Sequence, residues 1–363
     1  MRRAASTSDS LARAALAAGL ALALAACGRA PDRVEQLHVF GTLAELRLRD
    51  APPGQAQDAL VAIAATLNQR EREWHAWQDS DLTRINAAFA RGEAAEAPDS
   101  VLELVRRAQP LSEATDGLFD PAVGGLVEAW GFHTSTFPIL SPLPTEAELA
   151  GWRDNRPRIT GLRIDGKKLS ADNPRTQLDF AAMAEGAVSV EMLDILRRHG
   201  VRHALVNLGG DVVSLVPPGE KPWQVSLRDP FGGVLGGVAL GDGEALFTSG
   251  NYNKFRYSAA GARQAHVLDP RTARPARGSA AVVVLHADPV LADVAASALF
   301  VAGPSGFEAM ARRLGLGCAM MVTDENELLV TTAMQARLEL LRDPVPLGPP
   351  LDLGPGCVAG PRR

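Results

Sequence analysis

Apolar positions along this chain keep two different rhythms. Between residues 55 and 74, Leu60, Ile63 and Leu67 recur at spacings of three and four, which predicts an amphipathic helix. Residues 100–114, with Leu102, Leu104 and Val105 available for packing, predict a second. A third is predicted over 182–199, where Met183, Ala187, Val190, Leu193 and Leu196 form one stripe. A fourth, over 291–301, follows a Val- and Leu-rich run at 282–286 that suits a strand buried on both faces. Elsewhere the period is two. Residues 37–49 predict a strand, and 159–170 alternate around Asp165-Gly166, a favoured two-residue hairpin turn. Shorter strands are predicted at 204–206, 212–216, 223–227, 234–240 and 245–247. No internal repeat breaks this order. The pattern is that of an α+β chain with one functional unit over residues 37–342.

Both ends depart from that pattern. Arg2, Arg3 and Arg13 precede an apolar run, 14–26, that closes on Leu24-Ala25-Ala26-Cys27-Gly28. A basic start, an apolar stretch and small residues behind it form a cleaved export signal. The run is shorter than the ~20 residues that a membrane-spanning helix needs. Residues 1–26 are therefore expected to be a lipoprotein signal peptide, Cys27 the lipidated residue and 27–36 a spacer. An ordinary short signal with an incidental cysteine is the alternative. Residues 343–363 are rich in Pro and Gly and are expected to lack fixed structure.

Charge and cysteine content narrow the classes further. With 37 basic against 42 acidic side chains and no basic stripe carrying aromatics, nucleic acid is not an expected partner. Cys318 and Cys357 are the only cysteines after Cys27, and one possible pair is neither a disulfide framework nor a zinc site. Cys318 reads as a small core residue, and Cys357 falls in the tail.

Several short segments carry possible chemistry. Asp120-Pro121-Ala122, inside the run from Asp116 to Phe132, is either a backbone-exposing ligand turn or a helix cap with Pro at the first helical position. Leu178-Asp179-Phe180-Ala181-Ala182 ends a strand and opens a helix with small residues, which suits either a phosphate at the helix start or close packing. Asn207-Leu208-Gly209-Gly210-Asp211 is a tight strand-turn-strand. Asp293 and Ser297, one helical turn apart, present two oxygen donors on one face, and oxygen donors suit a hard cation such as Mg²⁺. A solvated or capping Asp293 is the other reading.

Taken in order, these blocks resemble the ApbE family of FAD:protein FMN transferases from about residue 40 to residue 323. The blocks are Gly41-Thr42, Asp79-Ser80-Asp81-Leu82 with Ile85-Asn86, DGLFDPAVGGLVEAWGF from Asp116, LDFAAMAEG from Leu178, and Asn207 to Asp211. Thr248-Ser249-Gly250-Asn251-Tyr252, His266-Val267-Leu268-Asp269-Pro270-Arg271-Thr272 and Ala292-Asp293 complete them. The resemblance implies a T-fold-like α+β domain, antiparallel sheets with helices on one side. It implies magnesium ligands at Ala184, Asp293 and Ser297. Flavin-nucleotide contacts are implied at Phe40, Trp77, Asp120, Pro121, Ala122, Ala181, Ala187, Ala265 and His266. The implied activity moves the FMN half of FAD onto a Thr or Ser hydroxyl of an acceptor protein and releases AMP. His266 is the expected base, with Asp269 orienting it. Two alternatives share the site: a Mg²⁺-dependent FAD pyrophosphatase and a non-catalytic FAD-binding lipoprotein. The implied location is the periplasmic side of the bacterial cell membrane, lipid-anchored and facing out from the inner membrane.

The chain departs from the family pattern at five places. Ala181-Ala182 stands for Gly-Gly, Glu185 for Lys, Phe40 for Met, Ala187 for an aromatic and Ala273 for Gly. These alter the nucleotide pocket and leave Asp293, Ser297 and His266 in place.

Overall fold

A computed structural model of the protein describes residues 31–357 apart from 253, 259, 260, 262 and 355. The expected signal peptide and Cys27 lie outside the described residues. Nine strands stand side by side in chain order: β1 (Arg33–Val39), β2 (Thr42–Leu48), β3 (Ala204–Leu208), β4 (Asp211–Leu215), β5 (Ala245–Gly250), β6 (Ser279–His286), β7 (Ala319–Thr323), β8 (Glu327–Val330) and β9 (Val345–Pro346). Neighbours pair antiparallel except β8 and β9. Eight helices are described: α1 (Pro53–Trp74), α2 (Asp81–Ala90), α3 (Asp99–Ala114), α4 (Gly124–Ala129), α5 (Glu146–Asp154), α6 (Ala181–Arg198), α7 (Pro289–Arg313) and α8 (Thr332–Gln335). The expected α+β class with antiparallel sheets holds.

The two faces of the large sheet bury different things. Phe247, Val282, Val284 and Met321 point to the helix side, where they join Leu193, Leu299 and Phe300 in one core. The alternate residues Leu246, Val283, Leu285, Met320 and Val322 point the other way. There they meet Leu227, Leu235, Val238 and Leu240 of a three-stranded sheet built from Trp223–Arg228, Val234–Leu240 and Leu338–Leu340. Burial on both faces is why β6 reads as an unbroken apolar run. Each such Val or Leu contributes roughly 1.5–3 kcal/mol relative to exposure, so a charged residue at Val283 would break the contact between the two sheets.

α6 and α7 position the chemistry, and a glycine sets their distance. A Cβ at Gly186 would lie 2.6 Å from the Pro289 carbonyl oxygen, so the two backbones touch there. That contact brings Glu185 and Asp293 side by side. Asp288 caps α7, its carboxylate accepting from Val290 N at 3.1 Å and Leu291 N at 3.3 Å. The helix runs past the predicted end at Val301 to Arg313, with a break at Gly303 (φ 67°) ahead of Pro304. By length and composition alone α7 could cross a membrane, yet Ala292, Val294, Ala295, Leu299 and Phe300 are buried in the domain core.

Three expectations are corrected. The strand predicted at 37–49 is two strands, β1 and β2, folded back at Phe40-Gly41, where both residues take positive φ. Apolar alternation continues through a tight turn, so periodicity alone misses the reversal. Residues 33–36, expected as spacer, already belong to β1. The tail is also partly ordered. β9 lies along β8, Leu351 N donates to Val330 O at 2.9 Å, and Cys357 is disulfide-bonded to Cys318. Proline-rich backbone can still lie along a sheet edge, where its missing donor costs little.

Candidate functional site

A cavity of about 900 Å³ opens where the start of α6, the middle of α7 and the ends of β3, β4 and β5 converge. Ligand sites commonly have this size. Asp179, Ala181, Ala182 and Glu185 form its wall at the start of α6. Asp179 Oδ1 accepts from Ala181 N at 2.9 Å, and Phe180 at the cap position supplies no side-chain acceptor. Met183 N and Ala184 N donate to the Phe180 carbonyl oxygen at 2.9 Å, which leaves the Ala182 N–H as the donor this helix start can offer an anion in the cavity.

A second wall is the turn at Asp120-Pro121. Asp120 Oδ1 accepts from Ala122 N at 3.1 Å and from Ile159 N at 2.9 Å. Burial pushes the Asp120 carboxyl above its ordinary range, and these two backbone donors pull it back. α4 begins only at Gly124, with Val123 at its cap, so Asp120 does not cap it.

The acidic part of the cavity gathers residues from four elements. Asp293 Oδ2 accepts from Gly186 N at 2.9 Å, and Ser297 Oγ lies 3.0 Å from Ser249 Oγ. Across from them, Asp211 at the start of β4 accepts from Thr248 N at 2.7 Å and shares a hydrogen bond with Glu185. Burial and then the neighbouring negative charges push Asp211 and Asp293 well above the carboxylate range, and burial pushes Glu185 to about 7. Three carboxyl groups this close cannot all ionise without a counter-charge. Among the described residues no three of His, Cys, Asp and Glu converge as an all-side-chain metal cage. An oxygen set completed by Ser297 and by water or phosphate oxygens fits a hard divalent cation.

The opposite part is basic and aromatic. His266 Nδ1 lies 2.9 Å from the Lys254 carbonyl oxygen, which can only accept, so Nδ1 carries the proton and Nε2 keeps its lone pair. Burial, and then the Lys254 ammonium, push His266 down to about 4, so its ring is neutral near pH 7. Trp77 stacks on His133 at 5.0 Å, and His133 Nε2 lies 3.0 Å from Asp179 Oδ2.

Of the residues expected at the site, Trp77, Asp120, Pro121, Ala181, His266, Asp293 and Ser297 line the cavity. Phe40 does not. It sits in the β1–β2 turn, its ring 6.1 Å from Trp74 and its N–H donating to Glu71 Oε2. Ala122, Ala184 and Ala265 are buried behind the lining, and Ala187 packs on the main core. Asp269 does not orient His266. It is held by Arg271, Oδ2 to guanidinium at 3.0 Å and Oδ1 to the Arg271 N–H at 2.8 Å, because the Pro270 turn brings that fork back. Sequence reasoning left out Glu185, Asp211, Lys254 and the His133–Asp179 pair as site residues. The first two stood inside motifs already noted, whereas Lys254 and His133 carry no local signal.

Among the described residues, an α+β fold encloses a cavity with clustered acids at a helix start and a neutral imidazole opposite, the arrangement of an enzyme-type site. The sequence pattern of the ApbE family matches residues 40–322, and the chain belongs to that family. It is 41% identical over 336 residues to an FAD:protein FMN transferase of Rhodobacter capsulatus, covering 92% of this chain and 64% of that protein. The chain thus spans somewhat under two thirds of that relative's length. Among solved structures, the apo flavinyl transferase ApbE of Pseudomonas stutzeri superposes with a TM-score of 0.72 at 29% identity, over 84% of this chain and 97% of that one. The flavin transferase ApbE of Vibrio cholerae gives a TM-score of 0.73 at 26% identity, over 85% and 100%.

Proposed function

We propose that this protein is an FAD:protein FMN transferase that moves the FMN moiety of FAD onto a Thr or Ser hydroxyl of an acceptor protein and releases AMP. The observation that carries the reading is one cavity holding an acidic oxygen cluster and a neutral, oriented imidazole. The names of its relatives point the same way.

The chain's own residues divide the work. The Ala182 N–H at the start of α6 and the turn at Asp120-Pro121 face the dinucleotide. Trp77 offers a flat apolar partner to a ring of the ligand. His266 Nε2 takes the proton of the attacking hydroxyl as oxygen bonds to the FMN-side phosphorus. The bond from that phosphorus to the AMP oxygen breaks. Asp293, Ser297, Glu185 and Asp211 would hold Mg²⁺, which when bound offsets charge on the pyrophosphate and the departing AMP. A histidine held near 4 is by itself a weak base, and a phosphate charge beside it raises its affinity for the proton.

Location belongs to the same proposal. Cys27 carries a diacylglycerol, and the domain works on the outer side of the inner membrane. The leader pattern supports this, as does the Cys318–Cys357 disulfide, since such bonds persist in oxidising compartments. Loss of fatty-acid labelling on Cys27→Ala tests the anchor.

The activity is tested by incubating the protein with FAD, Mg²⁺ and a candidate acceptor, then weighing the acceptor by mass spectrometry. An FMN phosphoester on a Thr or Ser, with AMP in equal amount, is the expected result. Free FMN with no labelled acceptor would mean that water takes the acceptor's place. Bound FAD with neither product would leave a flavin-holding protein.

A further inference from the structure

The cavity's charged lining is mostly acidic: Glu45, Asp120, Asp179, Glu185, Asp211 and Asp293 against Arg47, Arg228 and Lys254. A phosphate-bearing ligand needs a cation at a defined place in such surroundings. Arg228 lies over the Tyr252 ring, with its guanidinium carbon 4.8 Å from the centroid. Lys254 is different. Among the described residues its ammonium has no hydrogen bond or ion pair, and its contact is the Trp77 ring, 5.2 Å from the centroid. Asp179, the carboxylate that acts on it through space, is already held by His133 and by Ala181 N.

The platform under Lys254 is fixed. Trp77 is stacked against His133 on a nearly parallel plane (18°) and meets His75 edge-on at 4.6 Å. The same residue's carbonyl oxygen sets the His266 tautomer at 2.9 Å. Lys254 therefore ties the free ammonium and the lone pair of His266 to one short stretch of backbone. Burial lowers the ammonium's proton affinity, and a bound anion would restore it.

We propose that Lys254 is a phosphate-binding residue of this cavity, its ammonium donating to a non-bridging oxygen of the phosphate on the flavin side. The flavin side follows from His266, which must stand beside the phosphorus that the hydroxyl attacks. The proposal rests on the FAD reading above and adds the group that selects for a phosphorylated flavin.

The test separates the two. Riboflavin, FMN and FAD are titrated against wild-type protein, Lys254→Gln and Lys254→Arg by quenching of flavin fluorescence, with thermal melts to confirm folding. Loss of one charge-assisted hydrogen bond weakens binding by about tenfold or more. Lys254→Gln is expected to lose that much for FMN and FAD, to keep riboflavin within about twofold, and to be largely rescued by Lys254→Arg. Equal weakening of all three ligands would reduce Lys254 to a prop for Trp77 and overturn the proposal. So would unchanged FMN and FAD affinity. Failure of wild-type protein to bind any flavin would instead remove the FAD reading, and this proposal with it.

Discussion

The two ends of the cavity are built on opposite electrostatics. At one end the α6–α7 contact sets Glu185 beside Asp293, the start of β4 adds Asp211, and burial lifts the proton affinity of all three. At the other, Lys254 and His266 are desolvated side by side, and theirs falls. Each end carries a charge problem that a ligand of opposite sign would solve. A pyrophosphate with its divalent cation solves both at once. The acidic end is held by helix packing and the basic end by aromatic stacking. A substitution at one end should therefore leave the other intact.

The largest effect is expected at the acidic end. Asp293→Asn keeps an oxygen for the Gly186 N–H but removes the charge, so transfer should fall by about 100-fold or more. Its melting temperature should hold or rise, since a buried unpaired carboxylate is lost. Single-turnover AMP release and a thermal melt measure the two, and EDTA added to wild-type protein should reproduce the rate loss. Full activity in Asp293→Asn would dissolve the contrast between the ends.

At the basic end, His266→Ala should slow transfer by about 10²–10⁴-fold while FAD affinity stays near wild type. If rate and affinity both survive, another group takes the proton.

Away from both ends, Cys318→Ala should remove roughly 4 kcal/mol of stability, as expected for a cross-link spanning 39 residues of sequence. Denaturant melts of the oxidised protein measure it, and FAD binding should not change. Altered FAD affinity would couple the tail to the cavity.

A smaller effect is readable in pH. His266 is neutral in the fold, its value near 4 against the usual ~6.5 when unfolded. Its contribution to stability is therefore complete above about pH 6.5 and is lost as pH falls toward 4. The unfolded chain binds the proton first over that window. Wild-type protein should lose on the order of 2 kcal/mol more than His266→Gln between those pH values. Equal slopes would mean the ring is not desolvated.

Much of this was legible in the residue pattern. The stripes of α1 and α3, most of that of α6 (Val190 is exposed), and the doubly buried β6 follow from spacing, because each is a local rule about which side chains share a face. So does the hairpin over 162–171, whose turn residues are Gly166 and Lys167 rather than Asp165 and Gly166. The Asp293–Ser297 pair was visible for the same reason, being one turn apart. The order of the blocks was enough to raise the family resemblance. What spacing could not supply were meetings between distant segments. These include the reversal at Phe40-Gly41, the joining of Cys318 to Cys357, the capture of Asp269 by Arg271 and the assembly of Glu185 and Asp211 with Asp293.

Lys254 shows the division most sharply. Its sequence neighbours say nothing about a ring 177 positions earlier, yet packing sets its ammonium against Trp77 and its carbonyl against His266. Sequence alone determined which residues could serve, since side-chain chemistry and local periodicity are written residue by residue. Tertiary structure decided which of them share one low-dielectric space, since only packing can desolvate charges and place them within reach of each other.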